Sequence, residues 1–313
     1  MDNMGTSINS LWRVKCAAMK WRNRSVAELR EDCGEASLQV SSPPEWINRG
    51  AHKTIEQIGV VNWLGLWTLY KREVWRFFKV FNQTIFAPVV TTLLFLAVLV
   101  LSMGGHKAET QGIEFERFIA PGLVMMAVVQ NAFANTSSSL MLSKIQGVII
   151  DILTPPLKGW EICLALTSGG ITRGFLVGIS VSIAVYLIVP FSLFSLPLAL
   201  YYIIMSSMLL ALLGILGGIM AQSFDQMAAF TNYVITPLSF LSGTFYSIKH
   251  LPEFWQHISH ANPFFYMIDG FRYAMTGHAD GNIQVGIIFM ALANASLFAV
   301  VQHLFAKGWR LKN

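Results

Sequence analysis

The chain has 313 residues, of which 54% are apolar and only 12% are charged, with a formal net charge of +5. Apolar runs of about 20 residues, long enough to cross a bilayer, alternate with short polar segments, which excludes a soluble globular domain. The three cysteines lie far apart and show no metal-ligand spacing, so they predict neither a disulfide nor a metal site.

Residues 1–60 are polar and mixed in charge, and we predict that they form a cytoplasmic N-terminal extension. Residues 61–313 form the predicted transmembrane domain. It begins at residues 64–80, where aromatic and basic side chains occur together, a composition typical of a helix lying in the plane of the membrane surface. The charged residues of interest in this helix are Lys71, Arg72, Glu73 and Arg76.

Six apolar stretches follow, and we predict that each spans the membrane as a helix. They cover residues 85–103, 119–142, 162–189, 196–221, 227–246 and 285–306. Seventeen of the 22 lysines and arginines fall in the N-terminal 80 residues, the loop at 144–161 and the C-terminal tail. Because cytoplasmic segments are enriched in lysine and arginine, both termini are expected on the cytoplasmic side.

Polar and small residues inside the spans indicate close contacts between helices. The second span carries amide and hydroxyl side chains, which are expected to face protein or a cavity rather than lipid. The third carries Gly170, Gly174 and Gly178 at every fourth position, which lets a neighbouring helix approach closely. It also carries Arg173, about 18 Å into the span. An ionisable group there is either functional or paired with an acid on a neighbouring helix.

The loop at 144–161 is short and amphipathic and is stopped by two adjacent prolines, which cannot continue a helix. This pattern fits a coupling helix that docks on a motor subunit, and it also fits an ordinary helical loop. The candidate docking residues are Asp151, Ile152, Leu153, Pro155 and Pro156. The chain has no GxxxxGK[ST] sequence, so any ATP that drives it is expected to bind another subunit.

Residues 241–272, between the fifth and sixth predicted spans, are half apolar but contain two prolines and several ionisable residues. This mixture suits neither a water-exposed loop nor a spanning helix. We predict a broken segment that re-enters the outer leaflet under a cover of protein. Its aromatic residues, among them Phe264 and Phe265, are interpreted as interface anchors, and Asp269 and Arg272 are expected to form a local salt bridge. Its histidines lack the spacing of a metal site.

Several of these motifs together resemble the membrane subunits of ABC-2 type transporters, the permease half of bacterial ABC exporters. The resemblance covers residues 64–310. FIAPGL at 118–123 is similar to the FxxPG start of the family's second span. DILTPP at 151–156 is similar to its coupling helix, although Ile150 stands where the family often has a second acid. The most specific match lies in the broken segment, at Gly243, Tyr246, Pro252, Asn262, Pro263, Asp269 and Arg272.

The resemblance implies an all-α fold of six spans that works as a homodimer with two copies of an ATPase subunit. The partner ATPase would hold ATP and Mg²⁺, and this chain would bind no cofactor and no nucleic acid. The expected activity is export of a lipid-, glycan- or drug-like substrate across the bacterial inner membrane. The matched residues of the broken segment would form the outer gate of the transport path.

Two other functional classes remain open at this point. An ion-coupled transporter or channel without an ATPase would need acids inside the spans, but the spans contain no aspartate or glutamate, and their only lysine or arginine is Arg173. A membrane-embedded lipid-modifying enzyme would need a cluster of acids or histidines at the membrane face. Only residues 250–269 offer candidates for such a cluster.

Overall fold

The computed structural model describes residues 61–102, 109–110, 113–190 and 193–308, so the predicted extension at 1–60 lies outside the described part of the chain. The described residues are almost entirely helical. The helices in chain order are α1 (Trp63–Phe78), α2 (Ala87–Ser102), α3 (Phe115–Ile145), α4 (Ile149–Leu153), α5 (Gly159–Ile188), α6 (Leu196–Met220), α7 (Phe224–Phe230), α8 (Thr236–Leu241), α9 (Glu253–Ala261), α10 (Pro263–Thr276) and α11 (Ile283–Lys307).

Five of the described helices are long and apolar enough to cross a membrane, judged by length and composition. They are α3, α5, α6, α11 and the helix Asn82–Ser102, in which a π-helical turn leads directly into α2. Each coincides with one of the predicted spans, and the two sets of boundaries differ by only a few residues. The all-helical membrane fold is therefore confirmed for these five elements.

The predicted span at 227–246 is shorter and interrupted. It consists of α7, the π-helical turn Thr231–Ile235 and α8, and it ends at Leu241 rather than at Tyr246. The π turn precedes Pro237, which supplies no N–H to the helix ladder. Gly243 then adopts a left-handed conformation, with φ of +75°, that turns the backbone out of the helix. This segment is not among the five long apolar helices, so the six-span count stays a prediction.

One short element was not predicted. Between α2 and α3, two strands of two residues each pair antiparallel: β1 (Glu109–Thr110) and β2 (Ile113–Glu114). A strand of two residues is too short to show the alternation of polar and apolar residues from which strands are predicted. The pair leads directly into α3.

The centre of the bundle consists of α3 and α6, which are mostly buried, whereas α2, α5 and α11 keep much of their surface exposed. Glycines allow the close packing that their spacing predicts. A Cβ at Gly178 of α5 would lie 2.9 Å from the Val128 side chain of α3, and one at Gly174 would collide with Ser207 of α6. The helix contacts expected from the glycine spacing are therefore confirmed.

Helix α10 packs inside the bundle, against α3, α6 and α11. The interpretation of Phe264 and Phe265 as interface anchors was wrong, because only 2% and 1% of their surfaces are exposed. Phe264 belongs to the main apolar core, together with residues of α3 and α6. In contrast, Phe254 of α9 is 69% exposed, so only the first half of the broken segment presents its aromatic residues outward.

The contact between Gly270 of α10 and Tyr202 of α6 gives a test of this packing. A Cβ at Gly270 would overlap the Tyr202 ring. Overpacking of this kind typically costs about 1–3 kcal/mol, so Gly270→Ala is expected to lower the unfolding temperature in detergent. The matched control is Gly217→Ala on α6, whose Cβ would meet Met227 at an ordinary 3.5 Å. Equal unfolding temperatures for the two variants would contradict the packing.

Candidate functional site

Helix α4 lies between α3 and α5 and is buried on one side only. Ile149 and Ile152 are 7% and 2% exposed and pack in an apolar cluster with residues of α3, α5 and α6. Ile150 is 61% exposed, and Asp151 is exposed beside it. The other candidate docking residues are Leu153, which is half-buried, and Pro155 and Pro156, which are exposed. The predicted coupling segment is thus a short helix fixed to the bundle through its inner side.

A groove of about 570 Å³ separates α4 from α1. Leu64, Thr68 and Arg72 of α1 form one wall, and Asp151 and Ile152 belong to the other. No pattern in the sequence relates the surface helix to the coupling segment, because 70 residues lie between α1 and α4. The structure brings them together at one end of the bundle.

The beginnings of α1 and α5 are joined by Glu161, which is buried. Its carboxylate accepts hydrogen bonds from the backbone N–H groups of Asn62 at 2.8 Å and Lys158 at 2.7 Å. The Asn62 side chain accepts the N–H of Gly65 at 2.9 Å, which caps α1. Two helix starts therefore share one carboxylate, which helps to hold α1 in place beside α4.

Glu73 of α1 is fully buried where α1 crosses α3 and α5. Its carboxylate accepts hydrogen bonds from Ser139 Oγ at 2.8 Å and Arg76 Nη2 at 3.2 Å. Arg76 Nη2 also donates to the backbone and side-chain oxygens of Asn135, at 2.6 and 2.9 Å. Gly169 of α5 leaves room for this arrangement, because a Cβ there would lie 2.7 Å from Glu73 Cβ. One ion pair therefore fixes α1 to two long helices.

The burial of Glu73 differs from the surface position that its charged neighbours suggest. Lys71 and Arg72 are exposed, as expected for a helix at a membrane surface. Glu73, however, lies four residues after Leu69 and four before Phe77, and both of these are buried. Residues four apart share one face of a helix, so the helical period places Glu73 in the buried stripe.

Arg173, at the middle of α5, lines a cavity of about 500 Å³ formed by residues of α2, α3, α5 and α8. Its Nη2 donates to Asn131 Oδ1 of α3 at 3.1 Å. Within the described part of the chain, no carboxylate oxygen lies within 4.0 Å of its guanidinium group. The structure therefore supports an amide partner for Arg173 rather than the alternative of an ion pair with a neighbouring helix.

Arg272 of α10 is buried and connects three segments. Its Nη2 donates to the carbonyl of Gly243 at 2.6 Å, and its Nε donates to the carbonyl of Phe118 at 3.2 Å. The guanidinium carbon lies 3.9 Å from the centre of the Phe118 ring, within the range of a cation–π contact. Carboxylate oxygens of Asp269 and Asp280 each lie 3.9 Å from Nη1. The expected Asp269–Arg272 pair is present and belongs to a larger buried cluster.

The same cluster fixes the loop after α10. Asp269 accepts the backbone N–H groups of Asp280 at 2.7 Å and Gly281 at 2.9 Å. Asp280 in turn accepts a hydrogen bond from Ser247 at 2.9 Å and lies 3.8 Å from Lys249 Nζ. Sequence reasoning missed Asp280, because it lies in a loop and no periodic pattern relates it to its partners.

Asn262 and Pro263 form the break between α9 and α10. Asn262 Oδ1 accepts the N–H of the second residue of α10 at 3.0 Å, and its Nδ2 donates to the Leu238 carbonyl of α8 at 2.8 Å. Pro263 is the first residue of α10, a position where a missing N–H costs no hydrogen bond. Of the other predicted gate residues, Tyr246 is half-buried and Pro252 is exposed.

Metal binding has no support among the residues described. Nowhere in them do three or more histidine, cysteine, aspartate or glutamate residues form a group suited to an ion. His257 and His260 are exposed on α9. The side chain of His250 lies outside the described part of the structure.

The hydrogen bonds of Arg272 predict that lysine cannot replace it. An ammonium group on a flexible stem does not reproduce the planar fork that reaches two carbonyls. We expect Arg272→Lys to lower the stability of the purified chain by about 2 kcal/mol, because buried hydrogen bonds are lost. Arg117→Lys is the control, because Arg117 is exposed and pairs with Glu114 at the surface. Equal thermal unfolding of the two variants would contradict this role.

The Glu73 cluster predicts strong coupling between Glu73 and Arg76. Glu73→Ala leaves Arg76 without its acid and is expected to destabilise the chain by about 2 kcal/mol. The Arg76 side chain is 27% exposed, which reduces the cost below that of a fully buried unpaired charge. In thermal unfolding of both single variants and the double variant, the effects should be clearly non-additive. Additive effects would show that the pair contributes no coupling.

Comparisons with known proteins agree with this architecture. The family described as "ABC-2 type transporter" matches residues 65–276. The inner membrane transport permease YadH of Escherichia coli (strain K12) is 33% identical over 251 residues, which cover 80% of this chain and 98% of that protein. Nodulation protein J of Rhizobium leguminosarum bv. viciae is 25% identical over 243 residues, which cover 74% of this chain and 89% of that protein.

The matched region begins in α1 and ends with α10, so it contains α4, the Glu73–Arg76 pair, the Asp269–Arg272 pair and the lining of the cavity beside Arg173, whereas Asp280 lies after it. The apolar helices and the similarity to an inner membrane permease identify the chain as a multi-pass inner membrane protein. The chain belongs to the ABC-2 type transporter family, and it is therefore the membrane subunit of a transporter.

Proposed function

We propose that this chain is the permease subunit of an ABC exporter and works as a homodimer with two copies of a separate ATPase. The observation that carries this proposal is the position of α4. Two buried isoleucines fix it to the bundle, while Ile150, Asp151 and the two prolines after it remain exposed. A surface that is both exposed and firmly attached is suited to receive a force from a motor subunit.

The ATPase would dock on α4 and on the wall of α1 that faces it across the groove. Asp151 on α4 and Arg72 on α1 offer charges of opposite sign on the two walls. Such charges favour one orientation of a docked partner over others. The sequence contains no P-loop, which agrees with ATP and Mg²⁺ binding on the partner.

Movement at the docking surface would reach the long helices through two connections. Ile149 and Ile152 lie in the apolar cluster that includes residues of α3, α5 and α6. Glu73 and Arg76 connect α1 to α3 through Ser139 and Asn135. ATP-driven closure of the two motors would therefore tilt the bundle as a whole, because its helices are closely packed.

The homodimer is supported by polar side chains that the single chain leaves uncovered. Gln83 and Thr91 are exposed on the helix Asn82–Ser102, and Asn232 and Tyr233 are exposed between α7 and α8. Tyr233 is 81% exposed. Contact of amide groups with lipid is unfavourable because the bilayer core offers no hydrogen-bond partner. A second copy, or a transport path between two copies, would cover these groups.

The outer gate is proposed at the broken segment, where α9 and α10 meet α3 and α8. The Arg272 cluster holds Gly243 and Phe118 together on that side of the bundle. Opening would separate these segments and release a lipid-, glycan- or drug-like substrate, the class that family resemblance implies. The alternative, an ion-coupled transporter or channel, would need no ATPase and no docking surface.

Asp151→Ala tests the docking surface, because Asp151 is exposed and the change removes one contact without disturbing the bundle. The chain is purified with the ATPase that co-purifies with it, and the affinity of the complex and its rate of ATP hydrolysis in liposomes are measured. Loss of one favourable contact of about 1 kcal/mol would weaken the complex about fivefold. The control is Glu253→Ala, an exposed acid on α9. Unchanged assembly and hydrolysis in the Asp151 variant would exclude the docking role.

A further inference from the structure

Arg173 places a positive charge inside the bundle, and no acid of the described part of the chain lies within 4.0 Å of it. It lies 14 residues after Gly159, the first residue of α5, which corresponds to about 21 Å along a helix of 30 residues. Charged groups at such a depth are costly and are retained where they serve a function. A partner of opposite charge would lower the free-energy cost of burying the guanidinium group.

The hydrogen bonds of Arg173 are also incomplete. A guanidinium group has five N–H donors, and within the described residues one bond is present, from Nη2 to Asn131 Oδ1. The Nε atom is enclosed and has no partner there. Asn131 cannot turn to offer more, because its amide group donates to the Ala127 carbonyl at 3.0 Å. The guanidinium is therefore held in position with most of its donors unused.

The neighbouring cluster does not supply the missing negative charge. Asn131 binds Arg173, and Asn135, one turn further along α3, binds Arg76. The two cations therefore bind residues that are one helical turn apart on the same helix. The carboxylate of this cluster is that of Glu73, which already accepts bonds from Arg76 and a serine of α3. Within the described residues, Arg173 therefore has no carboxylate partner.

The cavity beside Arg173 is lined by both polar and apolar side chains. Its polar lining residues besides Arg173 and Asn131 are Gln83, Thr91, Thr92, Gln130 and Thr236, and apolar side chains form the rest. The aromatic residues are Phe95, Phe240 and Phe245. Its volume of about 500 Å³ is in the range of sites for drug-sized ligands. A small inorganic anion bound to Arg173 would leave these phenylalanine side chains without a contact.

We infer that the transported molecule is an amphiphile with an anionic head group, which pairs with Arg173 while its apolar part contacts the phenylalanines of the cavity. Phosphate and carboxylate groups fit best, because their oxygens match the planar donors of a guanidinium group. This inference rests on the proposed export function and adds the charge of the substrate. The bound anion would also neutralise Arg173, so the free-energy cost of the buried charge would be lower with substrate bound than without it.

Binding to the full-length chain in neutral detergent tests the inference without an ATPase. The probe is 1-lauroyl lysophosphatidic acid, the matched neutral amphiphile is 1-lauroylglycerol, and inorganic phosphate is the third ligand. A molecule that binds the folded chain raises its unfolding temperature as its concentration increases. We expect the phosphate-bearing lipid to bind at least about tenfold more tightly than the neutral one, because one charge-assisted hydrogen bond contributes that much to affinity. Inorganic phosphate alone should bind weakly.

Three variants assign the effect to Arg173. Arg173→Gln should remove the preference for the phosphate-bearing lipid, and Arg117→Gln, which makes the same charge change outside the cavity, should keep it. Asn131→Asp nearly preserves the shape of the side chain and places a carboxylate beside the Arg173 guanidinium. It should therefore also abolish the preference for the phosphate-bearing lipid. Because this variant supplies the missing acid, it keeps the test valid if Arg173→Gln fails to fold.

Three results would overturn the inference. They are equal binding of the two lipids by the unaltered chain, an unchanged preference in the folded Asn131→Asp variant, and binding of inorganic phosphate as tight as that of the lipid. None of these outcomes depends on ATP hydrolysis. Failure of the anion inference is therefore distinguishable from failure of the proposed ATPase coupling, which the Asp151 variant tests.

Discussion

The ion pair between the buried Glu73 and the half-buried Arg76 is the interaction on which the position of α1, and with it the docking surface, depends. In a membrane bundle, polar groups must find their partners inside the protein, because lipid offers none. Glu73 and Arg76 meet this requirement only while α1 stays against α3 and α5. An amphipathic surface helix that was free to separate from the bundle would transmit little force. The ion pair instead makes α1 part of the bundle and places it beside α4.

A second buried polar cluster, around Arg272, lies near the other end of α3. Phe118, which contacts Arg272, and Ser139, which contacts Glu73, are 21 residues apart on α3, or about 32 Å. One continuous helix therefore joins the two clusters. This arrangement gives a physical route by which an event at the α1–α4 groove can affect the broken segment. The cavity beside Arg173 lies between the two clusters, at the level of Asn131 on the same helix.

The sequence was sufficient to predict the features that follow from composition and period. Long apolar runs located five helices, and glycine spacing located the close helix contacts. Asn262 and Pro263 marked the break between α9 and α10. What the sequence could not show depends on contacts between distant segments. Glu73 accepts a hydrogen bond from Ser139, which is 66 residues away in the chain, and Asp280, in a loop, lies beside Arg272. Tyr246 was assigned to a helix because hydropathy does not detect the left-handed turn at Gly243.

The central claim is that this chain transports its substrate with the help of a separate ATPase. The most direct measurement is extraction of the chain from native membranes with mild detergent, followed by mass spectrometry of the intact complex. We expect a P-loop ATPase at one copy per copy of this chain, in a complex that contains two copies of each. Recovery of the folded chain with no ATPase under these conditions would exclude ATP-driven transport by this chain.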